Sequence, residues 1–122
     1  MREDSNIEIR YSGKKAEKTC RDFKQAKKEM DLKVAEKLHA AINLLESIPT
    51  LNDINQMRTY NLHPLQGKRQ GQYAMDLGRR SGYRLIIIPL DEDGNEWNKD
   101  ELDAIYKSTK IILVWEVSNH YE

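Results

Sequence analysis

Three stretches of the 122-residue chain carry side chains suited to handling a phosphodiester. In Leu62-His-Pro-Leu-Gln-Gly-Lys-Arg69 a histidine is followed five and six residues later by two cations. Arg84 stands inside the apolar run Tyr83-Arg-Leu-Ile-Ile-Ile88, and Ser118-Asn-His-Tyr121 lies near the carboxy terminus. Cleaving RNA through its own 2′-hydroxyl requires removal of that proton, stabilisation of extra negative charge on phosphorus, and a proton for the departing 5′-oxygen. Histidine exchanges protons near neutrality. Lysine and arginine suit the phosphorane charge, arginine through its bidentate fork. Each candidate also has a plainer explanation. His63 beside Pro64 reads as a turn residue, Lys68 and Arg69 as a solvated loop, and His120 and Tyr121 as a frayed end. Arg84 is harder to dismiss, since a guanidinium in an apolar strand is costly unless it is paired or faces an open site. A salt bridge to Asp76 is its structural alternative. His39, on a helix, reads as a surface residue.

These side chains need elements to position them. Residues 6–11 alternate apolar and polar and predict a first strand, ended by Ser12-Gly13. Ala16, Cys20, Phe23 and Met30 recur at helical spacing over Lys14 to about Glu29. Asp31 reads as an N-cap for a second helix with the stripe Leu32, Ala35, Leu38, Ile42 and Leu45, stopped at Ser47-Ile48-Pro49. Leu51–Tyr60 is polar connection without a strong period. His63–Leu65 reads as a short extended piece and Gln66–Gly71 as a basic loop. Tyr73–Leu77 alternates as a half-buried strand, and Gly78–Gly82 is a turn. Tyr83–Ile88 is a central strand and Ile111–Val117 the last one. Between them, Asp91–Lys110 is an acidic connection with a short helix capped at Asn98.

The expected class is α+β, in the order β-α-α-β-β-β. A twisted, mainly antiparallel sheet of four to five strands, mixed at its edge, packs on an amino-terminal helical hairpin and leaves its other face open. The whole chain, 1–122, forms one domain.

Composition narrows the function classes. Hydrophobic residues make up 39% and charged residues 33%, which suits a folded domain. No apolar run approaches the ~18 residues a membrane helix needs. The amino terminus carries no secretory pattern, so a cytoplasmic protein without a membrane partner is expected. Cys20 is the sole cysteine, which excludes a disulfide framework. Asp91-Glu-Asp-Gly-Asn-Glu96 fails as a calcium loop, having glycine at its fourth position and Leu102 at the twelfth. The formal net charge of zero conceals segregation. Arg58–Arg84 holds six basic residues and one acid, net +5, whereas Asp91–Ser108 holds seven acids and two lysines, net −5. With a Debye length of about 8 Å at physiological salt, a polyanion responds to whichever block is nearer.

Leu62-His-Pro-Leu-Gln-Gly67, Gly71-Gln-Tyr-Ala-Met-Asp-Leu77 and Gly82-Tyr-Arg-Leu-Ile-Ile87 together resemble the core pattern of the RelE/ParE toxin superfamily, with the HigB-like branch nearest. The resemblance implies the toxin half of a bacterial type II toxin–antitoxin pair. Such a protein cleaves messenger RNA on the ribosome without metal or cofactor. A cognate helix-turn-helix, HigA-like antitoxin is expected to silence it, with the toxin and the dimeric antitoxin forming a heterotetramer. By that likeness His63, Lys68, Arg84 and His120 are the catalytic set, and Arg69, Arg79, Arg80, Asn119 and Tyr121 contact RNA. The family's terminal Asp-Tyr-His falls on Asn119, His120 and Tyr121, with an amide for the acid and the last two exchanged. Gln66 stands where lysine is common and Asp76 where arginine is common. The acidic 91–110 segment reads as a surface insertion. Two other functions fit the same resemblance: a ParE-like gyrase poison without ribonuclease activity, and a degenerate toxin that only binds its antitoxin.

Overall fold

The computed structural model describes residues 6–78, 80–98 and 101–119. Strand β1 (Glu8–Tyr11) is followed by helices α1 (Lys14–Arg21), α2 (Phe23–Glu29) and α3 (Leu32–Leu45). A one-turn helix α4 (Asn52–Asn55) and a 3-10 turn at Arg58–Tyr60 lead into β2 (His63–Pro64). A second 3-10 turn, Gly67–Arg69, precedes β3 (Tyr73–Asp76) and β4 (Tyr83–Leu90). Helix α5 (Leu102–Ser108) and β5 (Ile111–Asn119) complete the chain's elements. The strands form one mixed sheet, in the order β1-β5-β4-β3-β2. β1 runs parallel to β5, and the other neighbours are antiparallel. The α+β class, the five strands and the amino-terminal strand's membership of the sheet match expectation.

The helical layer differs from it in three places. The single helix expected over 14–29 is two helices, broken at Asp22, whose backbone is extended (φ −111°, ψ 103°). The Asp22 carboxylate accepts from the amides of Lys24 and Gln25 and so starts α2 afresh, the competition with helix that short acidic side chains offer. Asp31 does the same for α3 through the Val34 amide at 2.9 Å, as its sequence position predicts. Leu32, assigned to the apolar stripe, is 54% exposed, and Val34 and Ala41 are buried in the face instead. The supposedly featureless 51–60 connection is anchored by Leu51 and Ile54, both fully buried.

The core lies between these helices and one face of the sheet. Ala35, Leu38, Ile42 and Leu45 of α3 pack with Met75, Leu85, Ile87, Ile112 and Val114. Because side chains alternate along a strand, the residues between these point the other way. Register then places His63, Ala74, Asp76, Arg84, Ile86, Glu116 and Ser118 together on the face away from the helices. A β-bulge between Ile86 and Ile87 inserts Trp115 into β5 and keeps Glu116 on that face.

That second face is less bare than expected. Ile86 is fully buried and Ile88 only 6% exposed, although both face away from the helices. The 66–71 loop sends Arg69 across to Glu116. The acidic segment folds back as a tight turn, with Glu96 bridging to Leu90. The Asp91 carboxylate accepts from the amides of Asp93 and Asn95, so it holds its own turn. Loop and acidic turn meet where Gly71 (φ +95°) lies against Glu96; a Cβ there would fall 2.5 Å from the Glu96 carboxylate. Helix α5 begins at Leu102 with Glu101 at its N-cap, and no side-chain cap bond forms. The Asn98 capping box therefore does not start it. The segment is fastened instead by the Trp97 indole N–H, which donates to the Thr109 hydroxyl at 3.0 Å.

No helix among the described residues is long and apolar enough to cross a membrane.

Candidate functional site

His63 sits on β2, a two-residue edge strand, opposite Ala74. Its orientation comes from the residues just before it. Asn61 adopts the left-handed conformation (φ +46°), which asparagine tolerates better than most residues. This turns the Asn61 carbonyl toward the imidazole, 2.6 Å from Nδ1. A carbonyl only accepts, so Nδ1 carries the proton and donates. In the neutral ring Nε2 is then left bare, with a lone pair ready to take a proton. Asn61 is itself steadied by its side-chain amide, which donates to Asp76 at 3.3 Å.

Arg84 lies on β4, directly opposite Asp76 on one side and Ser118 on the other. The salt bridge to Asp76 that would explain it structurally is absent among the described residues; the Asp76 carboxylate takes the Asn61 amide instead. The Nε atom of Arg84 is buried and has no hydrogen-bond partner. The side chain is half-buried on the face away from the helices, not sealed beneath them. A buried, unsatisfied donor on a guanidinium normally costs stability.

His63 and Arg84 are two strands and two residues apart in register. Strand spacings of ~4.8 Å and a rise of ~3.3 Å per residue put their Cα atoms roughly 12 Å apart. An imidazole and a guanidinium on one face at that span can contact opposite sides of one phosphodiester.

Arg69 is the most firmly held cation on the face. Its Nε donates to Gln72 Oε1 at 3.0 Å and its Nη2 to Glu116 Oε2 at 2.6 Å. Lys68 is exposed on the same 3-10 turn. Arg80 is exposed in the β3–β4 turn with φ +64°, at the end of the sheet nearest Arg84. Asn119 pairs in register with Tyr83, which places it one residue beyond Ser118 on the alternate side of β5. Arg79, His120 and Tyr121 lie outside the described residues.

The sequence reading missed Glu116. It is half-buried, faces His63's row of the sheet, and among the described residues is the only acid besides Asp76 that register places with these central groups. Its position depends on the bulge in β5, which no local pattern announces. His39 is exposed on α3 and rests edge-on against Phe23, with ring centroids 5.8 Å apart, well away from the site.

No protein-family model matches the chain, and no curated protein matches it.

Proposed function

We propose that the protein is the toxin of a bacterial type II toxin–antitoxin pair, acting as a metal-independent endoribonuclease on messenger RNA. The reading includes the ribosome as the place of cleavage and a helix-turn-helix antitoxin as the inhibitor. One observation carries it: an imidazole with a fixed tautomer and an unpaired arginine share the face of the sheet that the helices leave uncovered. A protein that only binds a partner has no use for a histidine whose free nitrogen is dictated by a carbonyl 2.6 Å away.

In this mechanism His63 Nε2 takes the proton of the 2′-hydroxyl. The 2′-oxygen attacks phosphorus, and the bond to the 5′-oxygen breaks as that oxygen receives a proton. The products are a 2′,3′-cyclic phosphate and a free 5′-hydroxyl. Arg84 and Lys68 stabilise the charge that accumulates on the non-bridging oxygens. His120 is the proposed proton donor to the leaving oxygen, and Tyr121 a stacking partner for a base. Arg69, Arg79 and Arg80 hold the flanking chain; Asn119, paired with Tyr83, stands on the alternate side of β5 and is left out of this set.

Primer extension on transcripts after brief induction tests this directly. Wild type is expected to generate new 5′ ends within coding regions, and His63→Ala to lose them by two to four orders of magnitude in rate, about what positioned proton transfer contributes. Growth arrest with DNA damage and intact transcripts would replace this reading with gyrase poisoning. Absence of any arrest would leave only antitoxin binding.

A further inference from the structure

Glu116 is an anomaly on this face. A carboxylate amid groups suited to a polyanion lowers affinity for that polyanion, and its value to stability is small. The Arg69–Glu116 side chains are 41% and 43% exposed, and ion pairs that open to solvent contribute little to folding. The geometry around it is nevertheless well defined. Gln72 holds Arg69 by Nε, which leaves the Nη side to face Glu116. Glu116 stands opposite Ile86, and Ser118 opposite Arg84. Glu116 and Arg84 are thus one strand and two residues apart, roughly 8 Å between Cα atoms, a span comparable to the separation of neighbouring phosphates in an extended single strand.

We propose that Glu116 is a built-in counter-anion: in the free protein it occupies the subsite where Arg69 takes the backbone phosphate adjacent to the one held by Arg84, and RNA seats by displacing it. The identity of the ligand as RNA rests on the function proposed above. The exchange itself rests on the observed pair and its spacing from Arg84. Its consequence is quantitative. In wild type, a phosphate reaching Arg69 frees Glu116 to attract a cation, so this contact releases no net counterion. With the carboxylate neutralised, the same contact adds one to the phosphates counted by the salt dependence.

The test measures anisotropy of a labelled 2′-O-methyl RNA hexamer, which cannot undergo 2′-hydroxyl attack, across a range of salt concentrations. Glu116→Gln keeps a hydrogen-bonding group for Arg69 and is expected to bind roughly three- to fivefold tighter, as loss of a half-exposed pair allows. Its log K against log salt should steepen by about 0.7, the single-strand value for one phosphate. Adding Arg69→Gln should cancel both gains. Equal binding by wild type and Glu116→Gln overturns the exchange. So does weakening of binding to the level of Arg69→Gln, which makes Glu116 a mere support for Arg69. Hexamer binding without transcript cleavage removes the nuclease reading and leaves the exchange standing. Failure of every variant to bind the hexamer overturns both.

Discussion

The two faces of β4 are built from consecutive residues and obey opposite rules. Leu85 and Ile87 are fully buried against the helices, with no polar atom to satisfy. Arg84, one residue away, faces outward with a buried Nε that nothing in the structure satisfies. On the first face every contact serves folding. On the second, a buried donor is left without a partner. A site of this kind is recognised by what is left unpaired, not by what is packed.

Substituting the two neighbours separates the faces most sharply. Arg84→Ala is expected to lower transcript cleavage by two to three orders of magnitude, the usual cost of removing one donor to developing charge. It should leave the thermal midpoint within a few degrees of wild type, because it removes an unsatisfied donor and breaks no bond. Leu85→Ala should behave in reverse, losing about 2–5 kcal/mol of stability through the cavity it opens. Parallel unfolding curves and cleavage assays decide the matter. Equal destabilisation by both variants would show that Arg84 serves the fold.

Alkaline pH sharpens the helix face alone. Burial pushes the Cys20 thiol up to about 12, with the Glu29 carboxylate adding to the effect. Burial likewise pushes the Tyr106 hydroxyl up to about 12, helped by Tyr73, whose ring lies edge-on 5.9 Å away. Both groups are held neutral by folding, whereas in the unfolded chain they ionise at their ordinary, lower values. Their contribution is therefore complete below about pH 8.5, the free thiol value, and is lost as pH rises toward 12. Thermal midpoints from pH 8 to 11 should fall, and Cys20→Ala should flatten the fall whatever it does to stability at neutral pH. An identical slope in the variant would clear Cys20 of the effect.

How much of this was readable beforehand follows from the range of the interactions involved. The Asp31 cap, the α3 run and the β4 strand are local patterns, and each stands close to where spacing places it. Asp22 looks equally local, yet it broke a helix that periodicity carried straight through. An aspartate at a helix interior and one at a helix start look the same until the chain's path is known. Leu51 and Ile54 were hidden because two apolar residues in a polar stretch make no period, although tertiary packing buries both completely. His63, Lys68, Arg69 and Arg84 stand out by residue type; register places His63 and Arg84 on one face, and only the bond to Glu116 brings Arg69 to it. The tautomer of His63 was not legible, since it depends on a left-handed asparagine two residues earlier. Nor was Glu116, whose direction is set by a bulge.

The acidic segment offers a weaker contrast of the same kind, since it touches both faces and belongs to neither. Its anchor is the Trp97 indole donating to Thr109, whose hydroxyl donates in turn to the Ile105 carbonyl at 2.6 Å. Trp97→Phe keeps most of the ring's apolar area and removes that one donor. The cost should be about 0.5–1.5 kcal/mol, the net worth of a hydrogen bond, read as a small drop in the denaturation midpoint. Thr109 is fully buried but retains its bond to Ile105, so the variant strands no second polar group. Cleavage should be unchanged within twofold, because no atom of Trp97 is placed among the proposed catalytic groups. A larger fall in cleavage than in stability would mean that the acidic turn, through Glu96 and its contact with Gly71, sets the position of the basic loop. The boundary between the two faces would then run through the loop itself, not along β4.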